Sequence, residues 1–281
     1  MEKGFVIYNP LSGDGKSEEN SKLLEMIFDE ELEYFDITRI TNYKTFFGRM
    51  EEYGFVIIAG GDGTLNRFIN DTEGIDIPQE IFYFPTGNGN DFANDMEKTS
   101  GNPFKITEYL KNLPIAEVKG KKYRFINGVG FGIDGYCCQV GDELKKTPEK
   151  KADYTKIAIK GLLFDFAPRN AKVTVDGREY IYKKVWIAPT MFGRYYGGGM
   201  IAAPQQSRNS KKLSLVVFHG AGRLRTLCIF PGIFKGKHIK HKKSVAVHTG
   251  KEIMVEFDRP TPLQIDGETF LDVTSYKAYS N

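Results

Sequence analysis

Phe55-Val56-Ile57-Ile58-Ala59 is a continuous apolar run that stops at Gly60-Gly61. A strand without polar alternation is covered on both faces, as in a parallel sheet flanked by helices. Two further runs have the same form. Phe5–Tyr8 ends at Asn9-Pro10, and Ile81–Phe84 ends at Pro85. Between them, Ser17 to Glu33 carries Leu23, Leu24, Ile27, Phe28 and Leu32 at helical spacing, with Ser17 as N-cap and Glu18 and Glu19 in the first turn. Tyr34–Ile40 reads as a strand and Tyr43–Tyr53 as a helix weakened by Gly48. This alternation predicts an α/β domain with a parallel sheet over residues 1–115, whose ligands lie beyond the carboxyl ends of the strands.

After residue 115 the texture changes. Tyr123–Ile126, Lys172–Val175, Tyr180–Ala188, Leu213–Phe218, Ser244–His248 and Glu252–Phe257 are strand-like, and Asp176-Gly177 is a hairpin signal. Tyr154–Phe166 is helical, with Ile157, Ile159, Leu162, Leu163 and Phe166 as a core face or a lipid-facing one, the core face being the commoner outcome. Residues 116–281 are therefore expected to form a β-rich domain, with a return of the last residues onto the first domain as the alternative.

Charge divides at the same place. Residues 1–115 hold 10 Lys and Arg against 21 Asp and Glu, whereas residues 116–281 hold 29 against 15. A basic second half meets an anionic partner, a membrane surface or a nucleic acid, unless it is only a solvated face. No run approaches the roughly 18 apolar residues of a membrane helix. The N-terminal apolar segment is too short for a signal peptide. Three cysteines, two of them adjacent, indicate no disulfide framework, and the four histidines lack zinc spacing. A reducing cytoplasm fits this pattern.

Chemistry concentrates in three glycine-rich turns after the apolar strands: Asn9-Pro10-Leu11-Ser12-Gly13-Asp14-Gly15-Lys16, Gly60-Gly61-Asp62-Gly63-Thr64-Leu65-Asn66 and Pro85-Thr86-Gly87-Asn88-Gly89-Asn90-Asp91-Phe92-Ala93. Glycines let backbone N–H groups approach phosphate oxygens, and a following helix adds its positive end. One such turn is usually just a tight connection; three in order are harder to explain that way. Asp62 would repel phosphates unless it holds Mg²⁺ or orients the loop. None of the turns matches the P-loop or dinucleotide fingerprint in its usual context.

These segments resemble the diacylglycerol kinase catalytic-domain family, of the bacterial soluble type related to sphingosine and ceramide kinases. The likeness runs through nearly the whole chain and includes Ile265-Asp266-Gly267-Glu268 and Gly236-Lys237-His238-Ile239-Lys240-His241. It implies an α/β domain and a β-sandwich domain with ATP in the cleft between them. It implies that Asn9, Ser12, Thr41, Gly60, Gly61, Asp62, Gly63, Thr64, Gly87, Asn88, Gly89 and Asn90 serve the ATP and Mg²⁺ site, with Asp62 at the metal. Asp266 resembles the general base and Glu268 its neighbour, although Asp-Gly alone reads as a hairpin turn. Arg67 stands where the family usually has glutamate. Asn209-Ser210-Lys211 stands where bacterial members often have aspartates for a structural Mg²⁺. The expected activity is transfer of the ATP γ-phosphate to a membrane lipid, diacylglycerol first, by a cytoplasmic protein held peripherally on an anionic membrane. A nucleic-acid partner is not expected, and a homodimer is compatible with the sequence. A sphingoid base, another lipid alcohol or NAD as acceptor, or a catalytically weak nucleotide- or lipid-binding protein, are the alternatives.

Overall fold

The computed structural model describes residues 3–145 and 154–280. The chain divides between Asn112 and Leu113 into two units. In the first, the chain order is β1 (Gly4–Tyr8), α1 (Ser17–Ser21), β2 (Leu32–Asp36), α2 (Tyr43–Gly48), β3 (Phe55–Gly60), α3 (Asp62–Asp71), β4 (Glu80–Pro85), α4 (Asp91–Asp95) and β5 (Phe104–Lys105). The sheet order is β2-β1-β3-β4-β5; the first four strands are parallel and β5 is antiparallel to β4. All six residues of β3 are buried, as its unbroken apolar sequence requires. A mixed sheet edge of this kind leaves the parallel core intact, so the α/β expectation holds.

Three elements are shorter than their sequences suggested, one of them α2, which ends at Gly48 rather than at Tyr53. The helix expected over Ser17 to Glu33 is α1 followed by a 3₁₀ stretch, Lys22–Met26. Lys16, not Ser17, occupies the N-cap, and Ser17 is buried with its hydroxyl 3.2 Å from that of Thr86. Only Leu24 of the apolar stripe is fully buried, while Leu23 and Ile27 are exposed. The strand expected over Tyr34–Ile40 stops at Asp36, because the Asp36 carboxylate accepts from Thr38 N at 2.8 Å and turns the chain.

The second unit contains β6 (Ile115–Val118), β7 (Lys121–Arg124), β8 (Gly128–Phe131), α5 (Ile133–Lys145), α6 (Tyr154–Lys160), β9 (Arg169–Val175), β10 (Arg178–Val185), β11 (Thr190–Met191), β12 (Leu213–Phe218), α7 (Arg223–Ile229), β13 (Val245–Gly250), β14 (Glu252–Ile265) and β15 (Glu268–Tyr279). Its named strands pair antiparallel. The long β14 pairs with β9 through Ile253–Phe257 and with β8 through Leu263–Ile265, and its register against β15 shifts between Glu256 and Thr261. A shift of this kind bends a strand so that it serves two parts of a sheet. Inward side chains such as Val129, Val173, Leu215, Val255 and Leu263 then meet in one core. The last residues, as β15, pair with β14 and β6 and so belong to this sheet.

A second core in this unit joins the helices to the sheet. Ile133, Ile157, Leu162, Phe166, Ile229, Phe230 and Ile233 pack with Trp186 and Phe218. The stretch expected to be helical over Tyr154–Phe166 is α6 followed by a π turn, Gly161–Asp165. Its buried members are Ile157, Leu162 and Phe166, whereas Ile159 and Phe164 are exposed.

Phe131 stacks on Phe257 with centroids 4.1 Å apart and planes within 5°, joining β8 to the bend of β14. Phe131→Ala should cost about 3–5 kcal/mol, the range for a buried aromatic replaced by a cavity. Denaturant unfolding of the variant checks this. A loss below about 1 kcal/mol would show that the β8–β14 joint relaxes around the hole.

Candidate functional site

The three glycine turns follow the carboxyl ends of β1, β3 and β4, and hydrogen bonds tie them together. Asn9 N donates to Ala59 O at 3.3 Å, and Thr86 N donates to Gly60 O at 2.9 Å. The Asn9 side chain donates to Thr64 Oγ1 at 3.0 Å and accepts from Leu11 N at 3.0 Å. Ser12 hydroxyl donates to Asn9 O at 3.0 Å, closing the first turn. Gly61 and Gly87 meet so closely that a Cβ on Gly87 would lie 2.4 Å from Gly61 Cα. Asn90 has φ +48°, a conformation asparagine tolerates. Its side chain donates to Gly87 O at 2.7 Å and accepts from Gly87 N at 3.1 Å.

Asp62 opens α3. One oxygen accepts from Asp91 N and the other from Phe92 N, each at 2.9 Å. These are first-turn N–H groups of α4, which have no partner within the helix. Of the two roles its sequence context offers, holding a metal or orienting a loop, the second is visible directly in the structure. Gly63 follows in open space, where an added Cβ meets nothing within 4 Å. It lies on the positive first turn of α3, an arrangement that suits anionic oxygens. Among the described residues no three His, Cys, Asp or Glu side chains cluster as a metal cage. Mg²⁺ at phosphates commonly takes only one or two carboxylates, so Asp62 with phosphate oxygens and water matches that donor chemistry.

Beside the first turn lies a groove of about 500 Å³ lined by Tyr8, Phe35, Arg39, Thr41, Asn42 and Phe46, among others. Thr41, assigned a nucleotide contact by resemblance alone, is on its wall. A concave site with aromatic walls and a few polar groups has the size and chemistry of a small-ligand pocket.

In the second unit, Asp266 and Gly267 are the two turn residues between β14 and β15, with φ +45° and +96°. Positive φ at both positions is the signature of a type I′ hairpin. The hairpin reading is therefore correct, yet the side chain does more. The buried Asp266 carboxylate accepts from Ile126 N at 2.6 Å and from Asn127 N and Gly128 N at 2.8 Å. Three of about four lone-pair positions are thus occupied by one backbone segment. Glu268, at the start of β15, is exposed.

Residues 3–119 match the model of the diacylglycerol kinase catalytic domain. Residues 127–276, more than half of the chain, match the YegS C-terminal NAD kinase beta sandwich-like domain. The chain belongs to the diacylglycerol kinase family. It is a kinase of the class that phosphorylates an alcohol acceptor. A diacylglycerol kinase of Bacillus subtilis is 24% identical over 284 residues, covering 95% of this chain and 90% of that one. A diacylglycerol kinase of Mycobacterium tuberculosis is 27% identical over 208 residues, covering 72% of this chain and 66% of that one. The solved structure of a diacylglycerol kinase from Bacillus anthracis superimposes with a TM-score of 0.61 at 17% identity, over 99% of this chain and 94% of that one, which shows a common fold.

Within this kinase, Asn9, Ser12, Gly60, Gly61, Asp62, Thr64, Gly87 and Asn90 are joined through the contacts above, and Gly63 follows Asp62 on α3. Asn88 is exposed, and Gly89 O accepts from the Asn94 side chain at 3.0 Å. Arg67 points its guanidinium at Asp71, Nε to Oδ2 3.2 Å, four residues along α3. The charge reversal at this position is thus paired on the helix surface.

Sequence reasoning missed Asp134, at the start of α5. It is buried, neither carboxyl oxygen has a well-formed hydrogen bond, and burial pushes its pKa up to about 7. Tyr196 and Gln264 lie beside it. Gln264 Oε1 accepts from Gly267 N at 2.7 Å, so one side chain separates Asp134 from the Asp266 turn. The signal was an acid directly after the apolar stretch Val129–Ile133.

Asp62→Asn leaves one acceptor for two N–H donors. The variant should lose about 1–3 kcal/mol of stability and bind nucleotide more weakly, because α4 and its loop shift. Thermal melts with nucleotide titration check both. Weaker nucleotide binding with an unchanged melting temperature would assign Asp62 to the metal alone.

The raised pKa of Asp134 means that the folded state holds a proton that the unfolded state, with a carboxyl near 3.9, has released. Stability from this group is complete below about pH 4 and is lost as pH rises through about 7, by a few kcal/mol at most. Asp134→Asn should remove that slope, so the variant gains on the wild type between about pH 4 and about pH 7. Parallel wild-type and variant pH–stability curves would show that the carboxyl is solvated.

Proposed function

We propose that this protein is an ATP- and Mg²⁺-dependent lipid kinase that phosphorylates the hydroxyl of a membrane lipid, with diacylglycerol as acceptor and phosphatidic acid as product. The observation that carries this reading is the set of interlocked glycine turns around Asp62 and Gly63, next to the groove that contains Thr41. The adenosine portion of ATP belongs in that groove, and the phosphates belong at the N–H groups of the turns and the first turn of α3. When bound, Mg²⁺ supplies charge neutralisation for the triphosphate, and Asp62 is the side chain that would hold it, directly or through water. Diacylglycerol is the acceptor printed in the names of the two relatives described above. The protein works at the cytoplasmic face of an anionic membrane. Among its described residues no helix is long and apolar enough to cross one.

Asp266 takes the proton of the lipid hydroxyl. Phosphoryl transfer depends mainly on positioning and charge stabilisation, so a weak base suffices. Its three backbone hydrogen bonds fix the carboxylate direction.

The test is ATP turnover with diacylglycerol, sphingosine, ceramide and NAD as acceptors, for wild type and Asp266→Asn. The variant should transfer phosphate about 10²–10⁴-fold more slowly, with nearly unchanged ATP affinity. Asn also presents an amide donor to one of the three N–H groups, so melting temperature is measured alongside. An undiminished rate in a destabilised variant would reduce Asp266 to a hairpin clamp. Wild-type turnover with NAD alone would replace the lipid acceptor.

A further inference from the structure

From Tyr180 to Lys251 the sequence has fourteen Lys and Arg and no Asp or Glu. The basic excess of the second unit is therefore concentrated in one stretch, and α7 and the Lys235–Lys243 cluster lie within it. The apolar residues of that stretch have divided roles. Ile229, Phe230 and Ile233 are core residues. Leu224, on the first turn of α7, is 78% exposed between Arg223 and the exposed Arg225.

The π turn after α6 presents a matching feature. Phe164 is 71% exposed, the second most open of the large apolar side chains after Leu224 and Leu11 are set aside. The two segments are packed together: Arg223 Nη1 donates to Leu162 O at 2.9 Å, one residue before Leu224 and two before Phe164 respectively. Lys160 is exposed nearby, 3.7 Å from Asp165, the acid within this patch. Asp165 also accepts from Tyr136 hydroxyl at 2.9 Å, so its charge is engaged by two neighbours. Phe234 and Lys235 are exposed at the end of the 3₁₀ segment that follows α7.

We propose that Phe164 and Leu224, flanked by Arg223, Arg225 and Lys160, form the face that docks on an anionic lipid bilayer. The choice of a bilayer rests on the lipid-kinase reading above; the face itself rests on exposure and charge. Two apolar side chains standing in water gain by entering the headgroup–acyl boundary, and the surrounding cations gain from an anionic surface. Neither group alone anchors a protein well, and their conjunction is what an interfacial site requires. An RNA surface would be served by the cations but gains little from an aliphatic Leu224.

The experiment uses the full chain and vesicles of phosphatidylglycerol with phosphatidylcholine, or of phosphatidylcholine alone. Wild type should sediment with the anionic vesicles and be released by salt. The double variant Phe164→Glu, Leu224→Glu should partition at least about tenfold more weakly while phosphorylating monomeric dihexanoylglycerol at the wild-type rate. The double variant Met26→Glu, Ile181→Glu is the control, because Met26 and Ile181 are 77% and 70% exposed and make the same change of two charges elsewhere. Its partitioning should fall much less. An equal fall for the control would show that net charge alone acts, and overturn the face. Equal sedimentation of wild type with neutral vesicles, or displacement from anionic vesicles by RNA at low concentration, would overturn it too. Phosphorylation of dihexanoylglycerol without vesicle binding sinks the docking face and leaves the function standing. Vesicle binding that the double variant loses, without phosphorylation of any diacylglycerol, sinks the function and leaves the face.

Discussion

A carboxylate that accepts several backbone N–H groups is the device on which both units depend. Each such bond to an ionised oxygen is stronger than a neutral one, and each fixes a segment that has no other regular partner. Asp62 holds the first turn of α4 in this way, and Asp266 holds Ile126–Gly128. In the first unit the consequence is a glycine turn with a defined entry into α4, where Asn90 takes a left-handed conformation. In the second, the hairpin between β14 and β15 is pinned to the start of β8, and β14 already pairs with β8 just before the turn. The two aspartates proposed for the reaction are thus structural first. That is consistent with phosphoryl transfer, where a correctly aimed weak base does more than a strong one loosely held.

The parallel sheet was legible because burial on both faces leaves no room for polar alternation. β3 and β4 appear within a residue or two of their apolar runs. The errors came where local polar chemistry outcompeted periodicity. Asp36 ends β2 by capping Thr38, a bond that a count of apolar residues does not register. After α1 the chain tightens into a 3₁₀ turn, and only Leu24 reaches the core, so the wide stripe of Leu23, Leu24 and Ile27 overstated the helix. β14 runs to Ile265, well past Phe257, because its bend moves it to a new partner without ending it.

The site shows the same division. Glycine turns are visible in sequence because their composition is constrained by close approach, as at Gly61 and Gly87. Asp266 was legible as two competing readings, turn or base, and the structure shows that the turn is what aims the carboxylate. Asp134 was invisible because its environment is made by residues far away in sequence, Tyr196 and Gln264. Arg67 stands where the family usually has glutamate, and its partner Asp71, one helical turn further on, is the residue that faces it.

The helical layer of the second unit extends this argument to the surface. Ile229, Phe230 and Ile233 stand a few residues before the Lys235–Lys243 cluster, where a membrane contact could have used them. The sheet side chains Trp186 and Phe218 claim them instead. His238, inside that same lysine-rich stretch, is also drawn inward: it is fully buried, stacks on Phe218, and its Nε2 lies 2.9 Å from Ala202 O. A basic segment anchored from beneath by apolar side chains and an imidazole keeps its lysines exposed. The core stripe therefore does not compete with the charged face. It holds that face in place, and the apolar residues left outside it, Leu224 and Phe164, are the ones whose exposure packing does not explain.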